Sequence, residues 1–190
     1  MVSTTAQLQF PDASESDEGR LVAAARAGDL SARDELIARY LQDVYAVAFR
    51  LLGERDLAQD AAQDAMVNAL GALGRFRGEA SFRTWILRIA LNSARSLLRR
   101  DVRRREVPIA AVEEVAGVGE DPASRAVLLT EAERVRVALQ GLPEKQRLSV
   151  SLRIEQGLSY AEIARLIDST EGAVRVNYHL GIKRLRGMLT

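Results

Sequence analysis

The sequence predicts an all-helical protein built from two small domains joined by a flexible linker, the C-terminal one containing a helix-turn-helix. Three observations carry this. Ala, Leu, Arg and Glu dominate, only 4 prolines occur in 190 residues, and no alternating Val/Ile/Thr run of strand type is present. The stretch EVPIAAVEEVAGVGEDPAS, from Glu106 to Ser124, mixes Pro, Gly and acidic residues without a sustained apolar face and divides the helical patterns in two. Near the C-terminus, GLSYAEIARLIDSTEGAVRVNYHLGIKRLR places two helical patterns around a tight turn. With 47% hydrophobic residues the chain can bury a core, as one domain or two.

Taken in order, residues 1–17 are polar and small and are expected to be disordered. The N-terminal domain, 18–105, reads as helices over 18–27, 32–52, 56–73 and 82–105. Gly28, Gly53 and the pair Gly74/Gly78 punctuate them at helix ends and turns. The linker, 106–124, follows. The C-terminal domain, 125–190, reads as helices over 125–140, 143–156, 159–167 and 170–189, with Pro143 in a first turn and Gly157 at a stop.

Composition excludes much chemistry. There is no cysteine and one histidine, which removes disulfides, Cys/His zinc sites, thiol nucleophiles and almost every histidine-based catalytic arrangement. No cofactor, metal or catalytic residue is expected. No apolar run approaches membrane-spanning length, and the polar N-terminus lacks the basic-then-apolar order of a signal peptide, so a cytoplasmic protein is expected. The net charge of +1 conceals segregation: residues 75–105 carry 10 basic and 2 acidic groups, whereas 1–74 carry 6 and 12. Residues 142–190 are again basic, 8 against 5, and 106–141 acidic, 7 against 3. Two basic segments alternating with acidic ones point to two separate contacts with a polyanion, unless these are ordinary solvated helix faces.

In the C-terminal motif, Ser159 and Glu162 have the spacing of a capping box. Tyr160, Ile163, Ala164 and Ile167 then recur at i, i+3, i+4, i+7 and give that helix one buried face. Asp168, Ser169 and Thr170 can cap a second helix, on which Val174, Tyr178, Gly181 and Leu185 pack inward. Its opposite face, near the N-terminal end, carries Glu171, Gly172, Arg175, Val176 and His179. A helix-turn-helix presents such residues to base edges in the major groove, where Arg can bond guanine and Glu can accept from cytosine. Lys183, Arg184 and Arg186 suit phosphates. His179 has no partner ligands for a metal.

In the N-terminal domain, Asp60, Gln63, Asp64 and Val67 form a largely polar, acidic face of one helix, and Ala62, Met66, Leu70 and Leu73 an apolar one. A docking face is favoured over catalysis, since no His, third carboxylate or phosphate-cradling loop accompanies the carboxylates. Farther on, Ile86, Ile89, Ala90, Ser93 and Leu97 form a packed stripe that leaves Arg83, Arg88, Asn92, Arg95 and Arg99 elsewhere on the helix. Arg99, Arg100, Arg103, Arg104 and Arg105 suit a phosphate backbone.

The segments RDLAQDAAQDAMVNAL, RFRGEASFRTWILRIALNSARSLLRR and LPEKQRLSVSLRIEQGLSYAEIARLI resemble, in order and spacing, regions 2.2, 2.3 to 2.4, and 4 of the extracytoplasmic-function (ECF, group 4) sigma factors of bacterial RNA polymerase, in the sigma-70 family. The resemblance covers nearly everything from Glu18 onward. It implies a non-enzymatic initiation subunit whose region 2, here 18–105, docks on the beta-prime clamp helices through Asp60, Gln63, Asp64 and Val67. The same region would open the promoter −10 element.

The resemblance also implies that the loop of Arg75, Phe76, Arg77, Gly78 and Ser81, with Phe82, holds a base flipped from the −10 strand. Such a step needs a small pocket, stacking and backbone hydrogen bonds. Arg83, Trp85, Arg88, Asn92, Arg95 and Arg99 would line the strand beyond it. Region 4, here 125–190, would read the double-stranded −35 element through Thr170, Glu171, Gly172, Arg175, Val176, His179 and Lys183, and rest on the beta flap. The linker would thread toward the RNA exit path, and an anti-sigma protein would cover both domains. The chain departs from the family pattern at Met66 and Leu70, where aromatics are frequent, and at Asn177, Leu180 and Ile182, where basic residues are.

Two other functions fit the residues alone: an autonomous helix-turn-helix regulator binding duplex DNA without polymerase, and a helical protein that holds polymerase or an anti-sigma factor. A regulator of the first kind typically dimerises on a palindrome, and no dedicated dimerisation helix is evident. Trp85, the one tryptophan, admits two roles: bracing the loop before it, or stacking on melted DNA.

Overall fold

The computed structural model describes residues 13–106 and 130–190, with side chains described for 17–101 and 130–190. All regular structure among them is helical, in two bodies. The N-terminal body comprises α1 (Ala13–Ala27), α2 (Leu30–Leu52), α3 (Arg55–Ala72), a 3-10 turn (Leu73–Arg75) and α4 (Phe82–Glu106). The C-terminal body comprises α5 (Glu131–Gln140), α6 (Glu144–Ile154), α7 (Tyr160–Leu166) and α8 (Glu171–Leu189). The expected linker beyond Glu106 and the first part of the helix expected over 125–140 lie outside the described residues.

Local sequence explains each boundary. The Asp29 carboxylate accepts the Ala32 N–H at 3.1 Å, and Gly53, at φ 78, ends the same helix with its N–H on the Phe49 carbonyl; only a residue without Cβ takes that conformation freely. Thr130 and Ser159 open α5 and α7 with complete capping boxes to Glu133 and Glu162. Pro143 precedes α6 as its cap residue instead of entering its first turn.

At the N-terminus, α1 begins at Ala13, and of the segment 1–17 expected to be disordered, residues 1–12 lie outside the described residues. Its acidic groups are tied to later helices: Asp17 pairs with Arg39 of α2 at 3.2 Å. Glu18 accepts the Phe82 N–H at 3.1 Å with one oxygen and bonds the Tyr40 hydroxyl with the other.

In the core, Ala58, Ala61, Ala62, Ala65 and Ala69 line the buried face of α3, and such small side chains let α2 and α4 approach closely. Of the apolar face read from the sequence, Ala62, Met66 and Leu73 are buried and Leu70 is half-buried. On α4 the buried arc is wider than the predicted stripe and adds Phe82, Leu87, Leu91 and Ala94. The physical reason is that α4 is packed by α2 and α3 and also by α7 of the other body.

One apolar cluster therefore runs across both bodies, joining Val44, Val47, Leu87 and Leu91 to Leu148, Leu152, Ile163 and Val174. A smaller one, Leu139, Leu142 and Val150 with Tyr178, Ile182 and Leu185, lies under α8. Polar contacts seal the seam. The Gln140 amide donates to the Phe49 and Arg50 carbonyls at 3.4 and 3.3 Å, and Arg147 donates to the Leu51 carbonyl at 3.3 Å. The Arg50 and Leu51 carbonyls in the last turn of α2 thus find donors that their own helix cannot supply.

Candidate nucleic-acid interface

The loop between the 3-10 turn and α4 is shaped by aromatic packing. Phe76 lies edge-on to Phe82, centroids 5.5 Å apart, and Trp85 tilts against both at 5.2 and 5.3 Å. Tyr40 of α2 backs the group, 5.4 Å from Phe82. Burial, and then the Glu18 hydrogen bond, push the Tyr40 phenol well above its ordinary range. Ser81 starts α4: its hydroxyl accepts the Thr84 N–H at 3.1 Å. Gly78, at φ 74, supplies the left-handed residue that turns the loop back.

Beside this loop is an open cavity of about 480 Å³. Residues 75–80, Thr84, Trp85 and Arg88 form one side, and Ala164, Arg165, Asp168 and Ser169 the other. Trp85 is half-buried and borders the cavity. It therefore braces the loop and still presents part of its ring to whatever enters.

Along α4 the basic residues divide. Arg99 is exposed, and exposed Asn92 borders a shallow groove with Asp64, Asn68, Ser93, Ser96 and Arg100. Arg83, Arg88 and Arg95 are engaged. Arg83 donates to Asp43 at 2.9 Å and to the Gln156 carbonyl and side-chain oxygens at 2.8 and 2.7 Å. Arg88 pairs with Asp168 at 2.9 Å, and Arg95 donates twice to one Glu144 oxygen, at 3.1 and 3.0 Å. Gln156, Asp168 and Glu144 all belong to the C-terminal body, and sequence reading missed them as partners because spacing along a helix says nothing about what crosses to it from another domain.

On α3, Asp60, Gln63, Asp64 and Val67 are all exposed, Val67 to 70%. The expected polar face is therefore open, and it carries an exposed apolar side chain among its acids.

In the C-terminal body, α7, a turn and α8 form a helix-turn-helix. Asp168 takes the left-handed conformation, φ 50, at the turn, a place Asp tolerates better than most side chains. The Thr170 hydroxyl caps α8 by accepting the Ala173 N–H at 3.2 Å. Val174 and Gly181 are buried, with Tyr178 and Leu185 half-buried, as the inward face requires. Thr170, Glu171, Gly172, Arg175, Val176, His179 and Lys183 are exposed. Arg175 is held in place by Glu171 at 2.9 Å and by the Tyr160 ring, 5.0 Å below its guanidinium, while Arg153 lies 4.9 Å from the same ring.

Residues 36–104 match the family model of Sigma-70 region 2, and residues 132–185 match that of Sigma-70, region 4. The RNA polymerase sigma-H factor of Pseudomonas aeruginosa is 35% identical over 164 residues, covering 82% of this chain and 85% of that protein. The chain belongs to the extracytoplasmic-function sigma factors of the sigma-70 family. The ECF RNA polymerase sigma-E factor of Escherichia coli is 33% identical, over 82% of this chain and 85% of its own length.

Among solved structures, CnrH in complex with the cytosolic domain of CnrY is similar with a TM-score of 0.67 and 27% identity, covering 90% of this chain and 96% of that one. The sigma factor RpoE of Bartonella quintana, solved with the anti-sigma factor NepR, shares the fold at the same TM-score, 22% identity and coverage of 82% and 95%. This sigma factor directs RNA polymerase to promoters through regions 2 and 4 and is a non-catalytic subunit. Among the described residues no helix is long and apolar enough to cross a membrane.

Proposed function

We propose that this sigma factor engages polymerase and promoter through three separate surfaces. The exposed face of Asp60, Gln63, Asp64 and Val67 docks on the beta-prime clamp helices, its carboxylates facing basic groups and Val67 giving the apolar contact. The loop from Arg75 to Ser81, with Phe82 and Trp85, receives a base flipped from the −10 strand. Arg83, Arg88, Asn92, Arg95 and Arg99 hold the strand's phosphates and base edges. The helix-turn-helix reads duplex −35 DNA from Thr170, Glu171, Gly172, Arg175, Val176 and His179, with Lys183 on a phosphate and the body resting on the beta flap.

In this reading residues 18–105 act as region 2, 125–190 as region 4, and 106–124 span polymerase between them, in the cytoplasm. The observation that carries it is the order and spacing of the two matched regions, each with an exposed polar face where the chemistry requires one. An anti-sigma partner is supported by the shared fold with a sigma factor solved alongside an anti-sigma factor.

Affinity capture of core polymerase on the tagged chain, followed by mapping of transcription starts after overexpression, tests the proposal. New starts sharing −35 and −10 sequences are expected. Polymerase recovery without any new start would leave only a polymerase-holding protein.

A further inference from the structure

We infer that a row of three uncharged residues on α8, Gly172, Val176 and Leu180, reads thymine methyl groups in the −35 duplex, which makes Leu180 a specificity-determining residue of the promoter contact. The inference rests on the reading of α8 as the −35 helix and adds the chemistry that this helix selects. The three residues stand at i, i+4 and i+8, so they line one ridge of the helix. That ridge lies on the exposed arc of α8: Val176 and Leu180 are 58% and 44% exposed, and Gly172 is exposed as well.

The fold does not require this row. The core side of α8 is supplied by Val174, Tyr178, Gly181, Ile182 and Leu185, and Val176 and Leu180 belong to neither apolar cluster. Gly172 is not demanded by a left-handed backbone, since its φ is not positive. Nor is it demanded by packing, since a Cβ there would meet no atom within 4 Å. Its missing side chain instead lets the backbone of the first turn approach a ligand closely. Single exposed apolar residues are ordinary on protein surfaces, but a continuous ridge of them at the reading end of a helix-turn-helix has a specific chemical counterpart.

The ridge runs between two arginines that the protein already holds. On one side Arg175 is fixed by Glu171 and the Tyr160 ring; on the other Arg184 donates to the Gln146 side-chain oxygen at 3.0 Å. The neighbouring Asn177 amide is turned back to the Ala173 carbonyl at 2.9 Å, so it adds no donor to the ridge. Val176 and Leu180 therefore meet base edges with no hydrogen bond to offer. Against a guanine, adenine or cytosine edge they would strip water from polar groups and return nothing. The thymine C5-methyl is the apolar group that the major groove displays, and packing on it removes apolar surface from water on both sides.

The probe is a double-stranded promoter fragment carrying the mapped −35 sequence, bound by the complex of this chain with core polymerase. Each −35 thymine, on either strand, is replaced singly by deoxyuracil, which removes the methyl group and keeps every hydrogen-bonding group of the base. A matched set carries the same replacement at thymines outside the −35 element. The variants are Leu180→Ala, Val176→Ala and Leu180→Lys, the last restoring a basic residue of the kind frequent in the family at this position. Each changes an exposed residue and should keep the wild-type circular dichroism spectrum.

Deoxyuracil at one or two −35 positions should weaken wild-type binding by about fourfold each, the effect of one buried methyl group, and replacements outside the element should change nothing. In Leu180→Ala and Val176→Ala the penalty at the position facing the altered side chain should largely vanish. Leu180→Lys should bind all fragments more tightly at low salt and discriminate less. An element without A·T pairs, wild-type binding insensitive to deoxyuracil throughout the element, or equal penalties in wild type and both alanine variants would overturn the inference while leaving a −35 contact through Arg175 in place. Wild-type binding that does not distinguish the mapped −35 sequence from a scrambled one would instead fail the reading of α8 as the −35 helix, and the inference with it.

Discussion

One carboxylate, Glu18 of α1, joins two later helices: one oxygen accepts the Phe82 N–H at the start of α4, and the other bonds the Tyr40 hydroxyl of α2. Removing it leaves a helix-start N–H and a buried phenol unmatched. Glu18→Ala is expected to lower unfolding free energy by about 1–3 kcal/mol, read by urea denaturation, and Glu18→Gln by less.

The same contact has a pH signature. Tyr40 is held above its ordinary value of 10.0 by burial and by Glu18, so the folded state holds the phenol proton more tightly than the unfolded state. Its stabilising contribution is complete below pH 10 and is lost as pH rises toward the folded value. Tyr40→Phe keeps the ring against Phe82 and should flatten this alkaline decline in thermal melts; an unchanged decline would place its origin elsewhere.

The helix-turn-helix depends on the Ser159–Glu162 capping box, in which Glu162 accepts from the Ser159 N–H at 2.7 Å and hydroxyl at 2.6 Å. Burial pushes the Glu162 carboxyl up, but the Ser159 bonds outweigh it and hold the carboxyl below its ordinary 4.5. That depressed value means the box stabilises fully above pH 4.5 and fades as pH falls through the folded value. Ser159→Ala should cost about 1 kcal/mol, and Glu162→Gln should reduce the acid-side slope of stability in circular dichroism melts.

Gly181 sets the approach of α8 to α6. A Cβ there would lie 2.7 Å from Val150 Cγ2 and 3.3 Å from the Gln146 carbonyl oxygen, so Gly181→Ala is expected to destabilise by about 1–3 kcal/mol. Adding Val150→Ala removes the nearer clash and should restore part of the loss. Additive destabilisation by the two changes would contradict this packing.

Trp85 touches Phe76 and Phe82, so Trp85→Leu should lower stability by about 1–3 kcal/mol through lost loop packing. Promoter opening lost with an unchanged melting temperature would instead assign the ring to DNA alone.

The helices were legible in the sequence because their signals are local: the Gly53 stop, the Ser159 box and the inward Val174/Gly181 face are written within a few residues. The exposed faces of α3 and α8 followed from the same periodicity. What the sequence did not disclose is long-range. Glu18 serves a helix 64 positions away, and Arg88 meets a carboxylate 80 positions away. Leu87 and Leu91 are buried because α4 is enclosed from several sides, which no single-helix pattern encodes.

Reconstituted run-off transcription tests the central claim most directly: core polymerase with this chain on a promoter carrying the mapped −35 and −10 sequences. Wild type should give a discrete transcript. Asp60→Ala/Asp64→Ala should abolish it by losing polymerase, and Arg175→Ala should weaken it in a manner that depends on the −35 sequence. Full transcript from the Asp60/Asp64 variant and unchanged −35 preference in the Arg175 variant would contradict the account.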